Sequence, residues 1–253
     1  HDFTMLREAF QRADSQDGPN VVFAYTLKGW RLPTVGDPQN HSVMLSQRQM
    51  EELSVELGGN SEDVWATFAK DSEAGKLCAN ASEHLGFGNR QEYDIPEMHI
   101  PKDFDQAYQG NMATQQIFGL VLTAISRNIP EVSERVVSVS PDVASSTNLG
   151  GWINKVGVWH REDDKEPLPH EEIIRELRWE EPAQGKHVGL GISENNLFMM
   201  LGQLGLSYET SGEMLFPIGT LYDPFVRRGL DAFVYSVYSG AKFIVVGTPS
   251  GVS

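Results

Sequence analysis

The stretch His187-Val188-Gly189-Leu190-Gly191-Ile192-Ser193-Glu194-Asn195-Asn196 carries the reading of the fold. A short β-prone run ends in glycines, a serine follows in helix-capping position, and an acid falls on the first helical turn. The apolar residues after it, Leu197, Phe198, Met199 and Met200 through Leu206, continue as a helix. Working outward, strand and helix patterns alternate. Met112 to Ile125 predicts a helix, Arg135 to Val139 a strand, and Ser140 to Gly150 a polar turn. Then come strand His187 to Ile192, helix Glu194 to Leu206, strand Met214 to Ile218, helix Asp223 to Tyr238 and strand Lys242 to Val246. Such alternation predicts an α/β fold with a parallel sheet flanked by helices.

Upstream the pattern differs. Phe3 to Ala13 has helical spacing and is broken by Asp17-Gly18-Pro19-Asn20. Val21 to Tyr25 is a continuous β-prone run of buried parallel-strand type. A loop containing Pro33, Gly36, Asp37 and Pro38 leads to Asn40-His41, and Ser46 with Gln49 three residues later predicts a capping box. Gly58 to Lys102 is polar and reads as short helices and linker, extended from Tyr93 to Pro101. Around Arg161 to Glu180 lies an acidic connection.

Composition narrows the function classes. The 253 residues are 40% hydrophobic and 22% charged, the balance of a globular chain, and the formal net charge is −15. That charge opposes nucleic acid and anionic membrane surfaces. The apolar runs Phe118 to Ile125 and Leu197 to Leu206 fall short of the ~20 residues of a membrane span. Cys78 is the single cysteine, which excludes an internal disulfide or a multi-cysteine metal site and fits a reducing, cytoplasmic setting. No His-Glu-x-x-His pair or Gly-x-Ser-x-Gly elbow occurs.

Chemistry-bearing residues cluster at the ends of the expected strands, where ligands bind in parallel sheets. Glu194 is subject to opposed effects: the helix dipole favours its anion by ~0.3–1 kcal/mol, whereas burial favours the neutral acid. An acid so placed can share a proton with a heterocyclic nitrogen, although a surface acid complementing a dipole has the same pattern. Tyr222 and Phe225, three residues apart, offer an aromatic face or simple core packing. Asp142 lies in the turn Ser140-Pro141-Asp142-Val143, and His41 on a loop after an expected strand is a candidate acid or base.

Taken in order, Tyr25-Thr26-Leu27-Lys28-Gly29-Trp30 with Asn40-His41, Met112 to Gly119, Ser140 to Val143, Gly191 to Asn195 and Thr248-Pro249-Ser250-Gly251 resemble the thiamine-diphosphate enzymes of the transketolase superfamily. The closest likeness is to the homodimeric pyruvate dehydrogenase decarboxylating component. The resemblance implies that residues 1–80 complete a diphosphate-binding domain. Residues 81–101 would be a linker, and 102–253 a pyrimidine-binding domain, incomplete at its C-terminus. It makes Glu194 the glutamate that bonds the aminopyrimidine and promotes its imino tautomer, and His41 a catalytic histidine near the substrate. Asp142, Tyr222 and Phe225 become cofactor-binding residues.

The implied cofactors are thiamine diphosphate and Mg²⁺. The implied reaction is oxidative decarboxylation of a 2-oxo acid such as pyruvate, with acyl transfer to a lipoylated dihydrolipoyl acyltransferase and a homodimeric assembly. The family's Gly-Asp-Gly metal motif is absent, so metal ligands are expected outside this chain. The His-containing loop expected beyond Gly251 is also absent, and Arg31 stands where relatives carry Gly. Two alternatives stand beside this reading: transketolase-type ketol transfer, and an inactive piece of a longer polypeptide.

Overall fold

The structure is a computed structural model that describes residues 1–59, 62–63, 65–87, 93–95, 97–103, 107–161 and 180–249. The chain divides into two compact units, residues 1–90 and 91–253. Most of the acidic connection, and the last two residues of Thr248-Pro249-Ser250-Gly251, lie outside the described residues.

Among its described residues the first unit holds three helices: α1 (Phe3–Asp14), α2 (Gln47–Glu56) and α3 (Glu73–His84). Each starts at a side-chain cap. Asp2 accepts from the Met5 amide and Ser72 from the Gly75 amide. The expected capping box at Ser46 and Gln49 forms, with the Ser46 amide donating to Gln49 Oε1 at 2.9 Å. None of the three helices carries a buried residue. Helix α3 runs through position 80, where the resemblance puts the end of the first domain.

The strand expected at Val21 to Tyr25 is not formed. Those residues are irregular, and Val21, Phe23 and Tyr25 are exposed. The physical reason is pairing: a strand needs a neighbour for its amides and carbonyls, and all strands among the described residues lie in the second unit. Arg31 adopts φ +67°, a left-handed conformation suited to glycine. Its guanidinium pairs with Glu56 at 2.6 Å and lies over the Trp30 ring.

The second unit is built on a four-stranded sheet. In chain order come α4 (Thr114–Asn128), α5 (Pro130–Ser133), β1 (Val136–Ser140), α6 (Gly150–Val156), β2 (His187–Gly189), α7 (Glu194–Leu204), α8 (Ser207–Ser211) and β3 (Phe216–Tyr222). A 3₁₀ segment (Asp223–Gly229), α9 (Leu230–Tyr238) and β4 (Ile244–Thr248) follow. The strands are all parallel in the order β2-β1-β3-β4, as the alternation predicts. Residues alternate between two cores. Val136 and Ile218 pack with Leu122, Leu149, Trp152 and Ile153 on one face, whereas Val139 and Leu221 pack with Leu197, Phe198 and Leu201 on the other. Because β2 lies on one side of β1 and β3 on the other, the chain switches direction between β1 and β3. In open parallel sheets the ligand crevice lies at the carboxyl ends of the two strands that flank such a switch point.

Two features depart from the local pattern. The single helix expected from Asp223 to Tyr238 is split, with Pro224 starting a 3₁₀ segment before α9. That segment ends on Gly229, where an added Cβ would meet the Glu194 carbonyl at 2.6 Å as well as the Phe198 ring. Inside the first core, Trp152 Nε1 donates to Ser138 Oγ at 2.8 Å. The Ser138 hydroxyl lies 2.9 Å from His187 Nδ1, and His187 Nε2 lies 3.2 Å from Ser140 Oγ. The four residues are buried, and a neutral imidazole can donate to one serine and accept from the other. Burial pushes the His187 imidazole down to about 4.

The sign of the resulting pH dependence follows from the native state binding the proton less readily than the unfolded chain. Stability carried by neutral His187 is complete above pH ~6.5 and is lost as pH falls from there towards 4, amounting to about 3 kcal/mol. Urea midpoints measured between pH 7.5 and 4 should show this loss, and His187→Gln should flatten that part of the profile. Gly229→Ala should cost about 1–3 kcal/mol in the same measurement, since the new methyl would force the 3₁₀ segment off α7.

Candidate active site

The crevice is lined by three turns. The β1 turn carries Asp142, the β2 turn delivers Glu194, and the end of β3 delivers Tyr222 and the 3₁₀ segment. Asp142 is exposed and takes φ +58°, a left-handed conformation that asparagine and aspartate tolerate better than most residues. The turn is tied across the crevice. Tyr222 OH donates to Ser146 Oγ at 2.6 Å, the Thr147 and Thr220 hydroxyls meet at 3.2 Å, and Gln115 Nε2 donates to the Ser146 carbonyl at 2.6 Å.

Glu194 opens α7 and is 5% exposed. The expected cap is not made: Ser193 adopts φ −154° and its hydroxyl makes no capping bond. That extended backbone turns the chain sharply from the Gly191 bend, itself at φ +67°, into the helix. What satisfies the carboxylate is Arg228, whose NH1 lies 3.3 Å from Oε1 and 3.5 Å from Oε2. Burial of a carboxylate requires such a partner, because a lone buried charge is strongly disfavoured. Arg228 itself is half exposed, with its guanidinium carbon 3.8 Å from the Phe225 ring centroid.

The 3₁₀ geometry accounts for the alignment. With three residues per turn, side chains at i, i+3 and i+6 eclipse one another, so Tyr222, Phe225 and Arg228 fall on one edge. An α-helix would rotate Arg228 about a third of a turn away. Tyr222 and Phe225 meet edge to face, centroids 6.1 Å apart and planes at 75°. They therefore form a corner, not the shared flat face that the i, i+3 spacing suggests.

The structure connects Glu194 to Phe225 through Arg228, and Phe225 to Tyr222 edge to face, and places Asp142 at the end of the adjacent strand. His41 lies in the first unit, exposed, with Nδ1 2.9 Å from Lys28 Nζ. Sequence reasoning missed Arg228; its signal was a basic residue three beyond Phe225 in a turn opened by proline. Among the described residues no cluster of three or more His, Cys, Asp or Glu is arranged for a metal ion, and no helix is long and apolar enough to cross a membrane.

A buried carboxyl group linked through Arg228 to an aromatic corner suits one end of an aminopyrimidine: a group that shares a proton with the ring nitrogen, and apolar surface for the ring faces. The described residues provide no comparable set for Mg²⁺ and a diphosphate.

Comparisons with known proteins bear on the fold and on the sequence as a whole. No protein-family model matches the chain. Pyruvate dehydrogenase E1 components of Corynebacterium glutamicum and Mycobacterium tuberculosis are 22% and 21% identical to it. Each alignment takes in 99% of this chain but 29% of the relative. The chain thus spans about three-tenths of the length of the curated relatives it matches. Among solved structures, transketolases from Campylobacter jejuni and Leishmania mexicana superpose with TM-scores of 0.55 and 0.56 at 15% identity. They cover 98% and 97% of this chain, and 36% and 35% of theirs. The chain therefore has a fold found in transketolases and a distant, end-to-end sequence similarity to part of pyruvate dehydrogenase E1 components.

Proposed function

We propose that this chain supplies the pyrimidine-side half of a thiamine-diphosphate site in a 2-oxo acid dehydrogenase acting on pyruvate. The observation that carries the reading is the buried Glu194 carboxylate at the crevice beside Tyr222 and Phe225, in a chain similar over its length to pyruvate dehydrogenase E1 components. Thiamine diphosphate, when bound, supplies the electron sink for loss of the 2-oxo acid's carboxylate. Glu194 holds the proton shared with the pyrimidine nitrogen. Its fixed place on the first turn of α7 sets the orientation of that hydrogen bond. Tyr222 and Phe225 wall the ring and keep water from the carboxylate. The Tyr222–Ser146 bond holds that wall against the β1 turn, where Asp142 faces the cofactor.

On this reading residues 1–80 belong to a diphosphate-binding domain, 81–101 to a linker and 102–253 to the pyrimidine-binding domain. His41 approaches the substrate as a proton donor or acceptor, and Mg²⁺ ligands come from outside this chain. The acyl group passes to the lipoyl arm of a dihydrolipoyl acyltransferase. The assembly is a homodimer in the cytoplasm. Ketol transfer between phosphorylated sugars is the competing activity, and the fold likeness to transketolases supports it equally well. Release of CO₂ separates the two, since ketol transfer releases none.

Glu194→Gln keeps the shape of the side chain and removes its charge. In a complete parent protein it should lower cofactor-dependent CO₂ release from pyruvate by about 10²-fold or more, with circular dichroism unchanged. Near-normal release rejects the role of Glu194. Calorimetric titration of the 253-residue chain with thiamine diphosphate and Mg²⁺ should show binding far weaker than stoichiometric, because the metal ligands are expected elsewhere. Tight one-to-one binding would contradict the view that this chain carries half a site.

A further inference from the structure

Arg228 makes both of the contacts that the reading above assigns to an aminopyrimidine. Its planar cation lies over the Phe225 ring at 3.8 Å from the centroid, and its N–H groups point to both oxygens of Glu194. We infer that Arg228 is a built-in occupant of the pyrimidine subsite, which satisfies Glu194 in the empty site and is displaced when the heterocycle enters. The inference rests on the proposed function and adds a competitor for the same carboxylate.

The two partners are unequal in a way that decides which one moves. The Glu194 side chain is 6% exposed and is fixed at the start of a helix packed on the sheet, whereas the Arg228 side chain is 53% exposed. The 3.3 and 3.5 Å separations are longer than the ~2.7–2.9 Å of strong charge-assisted pairs. Arg228 itself therefore loses little on leaving, because its charge is regained by water, and the cost of separation falls on Glu194. Glu194 cannot follow, so a departing arginine must be replaced by another donor. A flat aminopyrimidine is such a donor through its amino group, or through its ring nitrogen once that takes a proton from water, and the face of Phe225 uncovered by the guanidinium becomes available to it. Ligand affinity is then reduced by the fraction of molecules in which Arg228 holds the site; an arginine-held fraction of about nine-tenths lowers it about ten-fold.

A permanent clamp, in which Arg228 stays on Glu194 and helps hold the ring, predicts the opposite sign. Thiamine, which carries the pyrimidine without the diphosphate, is the probe. Its binding to the 253-residue chain is followed by ligand-observed NMR in wild type, Arg228→Ala, Arg228→Lys and, as a control, Arg227→Ala. Arg228→Ala should tighten binding about ten-fold. Arg228→Lys, which keeps the charge without the flat face, should tighten it less, and Arg227→Ala should leave it unchanged. Lysine also serves as the test if the alanine variant fails to fold. In parallel, phenylglyoxal labelling of wild type, mapped by peptide mass spectrometry, should rise at Arg228 when thiamine is added. Binding that is unchanged or weaker in both Arg228 variants, or labelling that falls, overturns the inference and leaves the proposed function standing. Absence of thiamine binding in every variant overturns both.

Discussion

A buried carboxylate at the mouth of a parallel sheet is the constraint on which the site depends. Glu194 sits with its side chain almost wholly removed from water, and an isolated charge there would be expelled or neutralised. Its ion pair with Arg228 resolves that problem, and the pair in turn requires the 3₁₀ segment to lie hard against α7. Gly229 allows this by presenting no side chain to the Glu194 carbonyl and the Phe198 ring. The chemistry of the crevice and the packing of the second core are thus coupled through a few atoms.

The remaining crevice residues are held by the same economy of short polar links. Tyr222 is tethered to Ser146, Thr220 to Thr147, and the β1 turn to α4 through Gln115. Beneath them the buried Trp152–Ser138–His187–Ser140 network links α6, β1 and β2, and burial favours its neutral imidazole. It ends at Ser140, two residues before Asp142.

Much of this was legible in the sequence. The strand-to-helix alternation of residues 112–248 appears in the structure as a parallel sheet with helices on both faces, with element ends displaced by a few residues. The Ser46–Gln49 capping box formed because both of its bonds are made within four residues. Val21 to Tyr25 shows the limit of such reading: β-prone residues without a neighbouring strand stay irregular. Ser193 shows another, since a serine in capping position made no cap once the backbone adopted an extended turn. The edge-to-face angle of Tyr222 and Phe225 followed from Pro224 and the 3₁₀ turn, which periodicity did not distinguish from an α-helix.

Local pattern by itself determined that Glu194 starts a helix after a strand and that an aromatic turn follows the next strand, because both depend on residues within a turn or two. Only the tertiary structure decided that these two turns share one crevice, that Arg228 reaches a carboxylate 34 residues earlier, and that His187 is locked between two serines of another strand. Those contacts depend on strand order and on the close approach of α7 to the 3₁₀ segment. Strand order is set by which faces can be buried together, a property of the whole sheet that no single stretch of sequence contains.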